Sequence, residues 1–399
     1  MRVGFLVEQM LAPVPGGTGR YSAELAAALA RTARPGEAVI SWCAWRGERE
    51  ADGAAVPGVV GPIRLPLPRR GLATAWLRGY GPAPSAVGIV HAPTLLVPPR
   101  RHGVPLVVTI HDAVPWTHPH TLSTHGARWH RQMGARAARQ ADAVIVPTRA
   151  VAAELRAHLP IPADRLHVIG EGVAEAVVTI PADADARAAR LRLPGGGYLL
   201  TLATLEPRKG LDTVLAALAE LAALAELAEP VGPAASAAPD LPLVHVGSPG
   251  WGGLDLRVEA ARVGLDPARI HSLGRLEDAD LAVVLSRATA LLAPSRSEGF
   301  GLPIVEAMAH GVPAIVSDIP AFAEVGGDAV VTVPVADPGA LARAVTAVVT
   351  DEGLRRRLAA DGRARAAAFT WNGAAETVWS LYRQLTDSRA LTTKDRGRA

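Results

Sequence analysis

The chain has 399 residues, 49% of them apolar and 20% charged, with a formal net charge of +3. This balance excludes a small disulfide-held scaffold and a disordered polymer, and it fits a soluble protein whose core is divided between two domains. The single cysteine, Cys43, excludes an intramolecular disulfide, and no charge-free apolar run approaches the ~20 residues of a membrane span.

Residues 2–7 read as a first strand rather than a signal peptide, and the expected location is therefore cytoplasmic. A glycine loop, Gly16-Gly17-Thr18-Gly19-Arg20, leads into an Ala-rich helix over about 18–31. Short apolar runs at 38–44, 88–92 and 106–110 read as strands, 127–140 as a helix, 143–147 as a strand, 149–158 as a helix and 166–169 as a strand. Gly170-Glu171-Gly172-Val173 reads as the exit from a first domain.

The pattern then restarts. Strands are expected at 198–202, 243–246, 270–273, 290–293, 314–317 and 330–333, with a helix over about 210–229. The low-complexity run 221–238 extends that helix into a surface loop. A last helix is expected over 372–385, followed by a disordered basic tail. The resulting division is a first domain 1–172, a second 173–371, a helix 372–387 crossing back to the first domain, and a tail 388–399. Two series of strands separated by helices predict an α/β protein of two doubly wound Rossmann-like domains with a cleft between them.

The most informative segment is Ser295-Arg296-Ser297-Glu298-Gly299-Phe300-Gly301-Leu302-Pro303-Ile304-Val305-Glu306. It joins a buried strand to a helix through a glycine-punctuated turn, with Pro303 suited to the first helical turn. The free amides of a helix start bind anions, most naturally a phosphate. Glu298 on the loop and Glu306 one turn into the helix add hydrogen-bond acceptors, which suits a ligand with both a phosphate and hydroxyls. Glu206-Pro207-Arg208-Lys209-Gly210 supplies two adjacent cations after another strand, and such a pair suits a diphosphate.

The Gly16–Arg20 loop does not keep the G-x-G-x-x-G spacing of a dinucleotide turn, so a nicotinamide site is not expected. Thr109-Ile110-His111-Asp112 ends an apolar strand. There His111 is expected to donate a hydrogen bond into the cleft, and Asp112 to fix a loop. His111, His118, His120, His125 and His130 match no standard zinc spacing. Asp278-Ala279-Asp280 reads as the capped start of a helix. No obligatory metal is expected. Between residues 61 and 140, ten arginines face one acid, Asp112. This stripe reads equally as a solubilising surface or as a contact for anionic lipid or a pyrophosphate-bearing acceptor. Interleaved aromatics are few, so nucleic acid is not an expected partner.

Taken together, Glu298-Gly-Phe-Gly-Leu-Pro-x-x-Glu306 with Glu206-Pro-Arg208-Lys209-Gly, the Gly-Gly-x-Gly loop and His111-Asp112 resemble the retaining glycosyltransferases of the GT-B fold, the large fourth family. The resemblance runs over nearly all of the first 375 or so residues, and around His111 it is nearest to bacterial mannosyltransferase-like members. It implies that Arg208 and Lys209 stabilise the departing nucleoside diphosphate in place of a metal. It also implies that Glu306 accepts from the ribose, that Glu298 orients the sugar, and that Gly299, Phe300, Gly301 and Leu302 lend backbone amides. His111 would contact the sugar near the anomeric carbon, while Gly247 and Leu276 would frame the base. Gly17 would approach the donor, and Gly16, Gly17, Gly19, Arg20 and Asp112 the acceptor. Glu298, His111, Arg208 and Lys209 are thus the expected catalytic set.

The implied reaction moves a hexosyl group, mannosyl from GDP-mannose as the best single choice, to a glycan, lipid-linked or small-molecule hydroxyl. No cofactor beyond the nucleotide-sugar co-substrate is implied. A UDP- or TDP-sugar donor, an epimerase on the same fold and a non-catalytic binding protein remain as alternatives. Front-side attack and a two-step route through Glu298 both remain open as mechanisms.

Overall fold

The computed structural model describes residues 1–44, 47–227, 241–250 and 253–396. The chain divides into two compact units, Met1–Gly172 with Thr370–Ala399, and Val173–Phe369.

The first unit is built on a seven-stranded parallel sheet, with strands β1 (Arg2–Leu6), β2 (Ala38–Cys43), β3 (Val60–Arg64), β4 (Ile89–Ala92), β5 (Leu106–Thr109), β6 (Ala143–Val146) and β7 (Leu166–Val168). Their spatial order is β3-β2-β1-β4-β5-β6-β7. Strands β4, β5 and β6 are buried along their whole length because helices cover both faces of the sheet. Among these helices, α1 (Gly16–Arg31) follows β1, α2 (Thr124–Gln140) precedes β6, and α3 (Arg149–His158) follows it. The Ser123 hydroxyl accepts from the Gly126 amide at 3.1 Å and the Thr148 hydroxyl from Val151 at 3.2 Å, so both later helices open on side-chain caps. A core of Trp76, Met133, Val108 and Leu155, among others, fills one side of the sheet.

The helix Trp371–Arg396 also belongs to the first unit. Trp379 and Tyr382 are 1% and 0% exposed. The Trp379 indole donates to Leu29 O at 3.0 Å, and Arg383 forks onto the Glu37 carboxylate at 2.8 and 2.9 Å.

The second unit carries a six-stranded parallel sheet of β8 (Leu199–Leu202), β9 (Leu243–Val246), β10 (Ile270–Gly274), β11 (Ala290–Ala293), β12 (Ala314–Ser317) and β13 (Val331–Val333), in the order β10-β9-β8-β11-β12-β13. Helices α4 (Leu211–Leu227), α5 (Asp278–Arg287) and α6 (Leu302–His310) follow β8, β10 and β11. Leu215, Leu218, Leu292, Ile315 and Val345 lie in its core. Both units are thus doubly wound. The strand order reverses between β1 and β4 in one unit and between β8 and β11 in the other, and the carboxyl ends at such a reversal are where ligands bind in open α/β sheets.

The structure departs from the sequence expectation in several places. Strand Val60–Arg64 was not expected, because Gly61 and Pro62 interrupt it and most of it is exposed; it is an edge strand, where proline is tolerated. Short helices at Glu48–Gly53, Arg69–Leu77 and Ala184–Arg190 also lack a long enough apolar period to be read. The last helix continues through Arg396, beyond Ser388 where disorder was expected, since neither glycine nor proline interrupts 374–396. The low-complexity loop at 228–238 lies outside the described residues.

Candidate functional site

In the second unit, β8 and β11 are adjacent and parallel, with Leu199 opposite Ala290 and Leu200 opposite Leu291. The loops leaving their carboxyl ends therefore meet. Residues 207–209 form a single 3-10 turn closed by Gly210 at φ 68°. A Cβ on Gly210 would lie 2.0 Å from Pro294 O, so only glycine allows the two loops to approach this closely. Backbone and side-chain bonds complete the junction. The Arg296 amide donates to Arg208 O at 2.7 Å, and the Arg296 guanidinium reaches Pro207 O at 2.6 Å and both oxygens of Asp212 at 2.9 and 2.6 Å.

This junction brings together the two motifs that the sequence separates by about ninety positions. Lys209 Nζ donates to Glu298 Oε1 at 2.5 Å, and Arg208 Nη1 to Glu298 Oε2 at 3.1 Å. Arg208 Nε donates to Glu206 Oε2 at 2.8 Å, and Ser295 Oγ to Glu298 Oε1 at 2.9 Å. Two cations thus face two carboxylates in a half-buried cluster. Burial would raise the Glu298 carboxyl, but the charges of Lys209 and Arg208 and the bonds from Lys209 and Ser295 outweigh it and hold the group at about 2. Burial and the neighbouring Arg208 lower Lys209, against the opposing pull of Glu298.

The glycine turn behaves as its composition demands. Gly301 takes φ 97° as the N-cap of α6, and Leu302 and Pro303 occupy the first helical positions. Phe300 is buried with its ring edge-on to Phe369 at 5.5 Å, so this segment offers a ligand backbone and not the Phe300 side chain. Leu302 and Glu306 are also buried, and Glu306 is 4% exposed. Gly247 donates from its amide to Gly274 O at 2.9 Å, which joins the carboxyl ends of β9 and β10 just before Leu276.

In the first unit, the glycine motif is not a separate loop. Helix α1 starts at Gly16, so Gly16, Gly17, Thr18 and Gly19 form its first turn; the Gly19 amide donates to Pro15 O at 2.9 Å, and those of Gly16, Gly17 and Thr18 are helix-start donors. Early prolines and glycines hide a helix start from propensity reasoning, which placed it at Thr18. Arg20 follows within the same helix. Asp112 Oδ1 accepts from the Val114 amide at 3.0 Å and fixes the loop after β5.

His111 requires a correction. Its Nε2 lies 2.8 Å from Pro93 O and its Nδ1 lies 3.4 Å from Glu171 Oε1, so both ring nitrogens are engaged inside the unit instead of being directed outward. The Tyr21 ring stands edge-on to it at 4.5 Å. Behind Tyr21, a buried polar chain runs from its hydroxyl to Thr109 Oγ1 (3.2 Å), from Thr109 to His91 Nε2 (2.9 Å), and from His91 Nδ1 to the Tyr382 hydroxyl (2.6 Å). Sequence reasoning missed Glu171, Tyr21, His91 and Tyr382 as neighbours of His111. Only a polar residue inside an otherwise apolar strand, His91 in Ile89–Ala92, was available as a signal.

Other expectations resolve plainly. Asp278 and Asp280 lie in the first turn of α5, after the N-cap Glu277, and Asp280 receives Arg187 at 2.8 Å and Arg190 at 2.7 Å. Among the described residues, no three His, Cys, Asp or Glu side chains are grouped as a metal site would need. The arginine stripe is dispersed. Arg136 is buried, Arg100 pairs with Asp142 at 2.7 Å, and Arg131 reaches Pro115 O at 2.6 Å. Among the described residues no helix is long and apolar enough to cross a membrane.

Residues 15–176 match the family model described as glycosyltransferase family 4, and residues 183–365 the model described as glycosyl transferases group 1. The chain is similar to the O-antigen chain mannosyltransferase B of Escherichia coli, at 27% identity over 82% of this chain and 81% of that protein. It is 33% identical to the phosphatidyl-myo-inositol mannosyltransferase of Mycobacterium tuberculosis over 55% of this chain and 57% of that protein. Its fold is shared by Anabaena HepE, solved in complex with UDP and glucose, with a TM-score of 0.71 at 18% identity over 96% of this chain and all of that one.

Proposed function

From the premise that this chain belongs to the family 4-type glycosyltransferases of the GT-B fold, matched by family models across 15–176 and 183–365, we propose that it is a retaining, metal-independent hexosyltransferase. It moves a mannosyl group from GDP-mannose to a hydroxyl of a glycan or glycolipid acceptor. The observation that carries this reading is the Glu206–Arg208–Lys209–Glu298 cluster at the carboxyl ends of β8 and β11, beside the glycine start of α6.

A guanidinium and an ammonium side by side supply the charge that a leaving diphosphate requires. The amides of Gly299–Leu302 at the start of α6 add donors to phosphate and sugar oxygens. Glu298 orients the sugar hydroxyls, and Glu306 accepts from the ribose. Gly247 and Leu276 frame the base. In the first unit, the α1 start at Gly16, Gly17 and Gly19, together with Arg20 and Asp112, receives the acceptor, and His111, with its two ring nitrogens held by Pro93 and Glu171, acts through its charge. Mannose is favoured because both named relatives above are mannosyltransferases.

Retention follows from attack on the face that the phosphate leaves. The bond from the anomeric carbon to the phosphate oxygen breaks with its electron pair leaving on the diphosphate, the acceptor O–H bond breaks as the new C–O bond forms on the same face, and the departing phosphate takes the proton. The exposed arginines that remain from the basic stripe supply a peripheral contact with the anionic inner face of the cell membrane.

The test is thermal stabilisation by GDP against UDP, TDP and ADP, followed by product analysis of donor incubated with mannoside acceptors. GDP stabilisation with release of GDP and an α-mannoside is the expected result. UDP or TDP stabilisation replaces the donor assignment, and epimerised donor formed without acceptor removes the transferase reading.

A further inference from the structure

Two acceptors face the two ring nitrogens of His111. Pro93 O, 2.8 Å from Nε2, is a carbonyl and only accepts, so Nε2 carries a proton. Glu171 Oε1 lies 3.4 Å from Nδ1, and an ionised carboxylate also only accepts. With a bare Nδ1, two lone pairs would oppose each other in a site where the side chains are 13% and 6% exposed. The contact is attractive only with a proton between the two atoms.

Building on the glycosyl-transfer reading above, we propose that Glu171 is a positioning residue that holds His111 as an imidazolium. His111 then enters the reaction as a fixed positive charge and not as its base. The acceptor proton leaves with the departing phosphate, and His111 keeps both of its own.

The surroundings of His111 agree. Burial alone would lower it, but the bond and charge of Glu171, the Pro93 carbonyl and the nearby charge of Asp112 outweigh burial and raise it. From β4, His91 adds no competing charge, since burial first and the charge of His111 second lower it to about 3. From α1, Tyr21 presents a ring edge, its hydroxyl bonded to Thr109. Trp371, at the start of the C-terminal helix, stands edge-on to Tyr21 at 5.7 Å. Glu171 itself is held in place by its neighbour. A Cβ on Gly172 would lie 2.2 Å from the Trp371 amide nitrogen, so the 170–172 turn lies flat against that helix start.

The experiment is nitrogen-detected NMR of the histidine rings in the full chain between pH 5.5 and 9, with His111 assigned from the His111→Gln spectrum. Both nitrogens of His111 should show imidazolium shifts at pH 7.5. In Glu171→Gln the ring should be neutral at that pH, with its titration moved down by about one unit or more, a tenfold change in proton affinity. Glu171→Asp should restore part of the shift. A neutral His111 in the parent protein, or the same titration in Glu171→Gln, would overturn the proposal.

Carbon detection of the Glu171 carboxyl supplies a second arm that needs no variant, and a protonated carboxyl at pH 7.5 overturns the proposal equally. In turnover, the alkaline limb of kcat should move to lower pH in Glu171→Gln with the donor KM little changed. A protein that transfers no sugar would remove the proposed function and leave the NMR outcome intact.

Discussion

Lys209 Nζ stands 2.5 Å from Glu298 Oε1, although the two residues are eighty-nine positions apart. The contact exists because β8 and β11 lie side by side and Gly210 permits their loops to touch. In the proposed function, a diphosphate reaching Lys209 and Arg208 would compete with Glu298 for both cations. Donor binding would then free the carboxylate for the sugar hydroxyls at the moment they arrive.

Removing either end of this contact is expected to cut turnover sharply. Lys209→Ala and Glu298→Ala should each lower kcat by roughly 100-fold or more, the scale on which one preorganised charge partner acts. Circular dichroism should show both variants folded. Near-parent turnover in either one would overturn the site assignment.

The same pair has a pH signature. Glu298 is held at about 2, below the ordinary 4.5 of a glutamate. Its ion pairs therefore contribute stability that is present above pH 4.5 and is lost as the pH falls toward 2. The stability difference between parent and Glu298→Gln should be constant from pH 7 to 5 and shrink below that window, as read by urea unfolding.

Gly210→Ala is expected to be costly. Its Cβ would lie 2.0 Å from Pro294 O at a φ of 68°. Backbone strain of this kind costs about 1–3 kcal/mol, before any clash is counted. Melting should shift downward and nucleotide affinity should fall with it, because the loop carrying Arg208 and Lys209 must move away.

Two buried histidines are expected to contribute to the acid limb of stability. In the first sheet His91 on β4 meets Thr109 on β5 at 2.9 Å, and in the second His245 on β9 meets Thr201 on β8 at 3.1 Å. Burial lowers His91 to about 3, together with the charge of His111, and His245 to about 4. Both are thus neutral when folded and protonated when unfolded below pH 6.5. The unfolded state then binds more protons, so stability falls as pH drops from 6.5 toward 4, by up to about 1.4 kcal/mol per unit for each histidine. His91→Asn should flatten part of that slope in urea titrations at pH 7, 6, 5 and 4.

The C-terminal helix is expected to be integral to the first unit. Trp379 is 1% exposed and its indole donates to Leu29 O. Trp379→Ala should cost about 3–5 kcal/mol, as large aromatic truncations in cores do. Tyr382→Phe should cost about 1–3 kcal/mol by leaving buried His91 Nδ1 without its partner. Tyr382→Phe melting like the parent protein would show that the His91 chain carries no stability.

Much of the fold was legible because parallel strands covered on both faces are continuous apolar runs. Leu243–Val246, Ala290–Ala293 and Ala314–Ser317 are bounded as their residues indicate. Strand Val60–Arg64 was not legible, since an exposed edge strand containing Gly61 and Pro62 satisfies few of its groups through burial. The glycine turn that opens α6 was readable from glycine spacing and a helix start, which are local properties of adjacent residues. Doubly wound architecture, the glycine turn and the two cations after β8 follow from the sequence alone. Only the tertiary structure decided that Glu298 neutralises those cations and that Glu171 and Pro93 take both nitrogens of His111. Each such contact joins residues on different strands, and strand order and loop approach, not local spacing, determine which side chains meet.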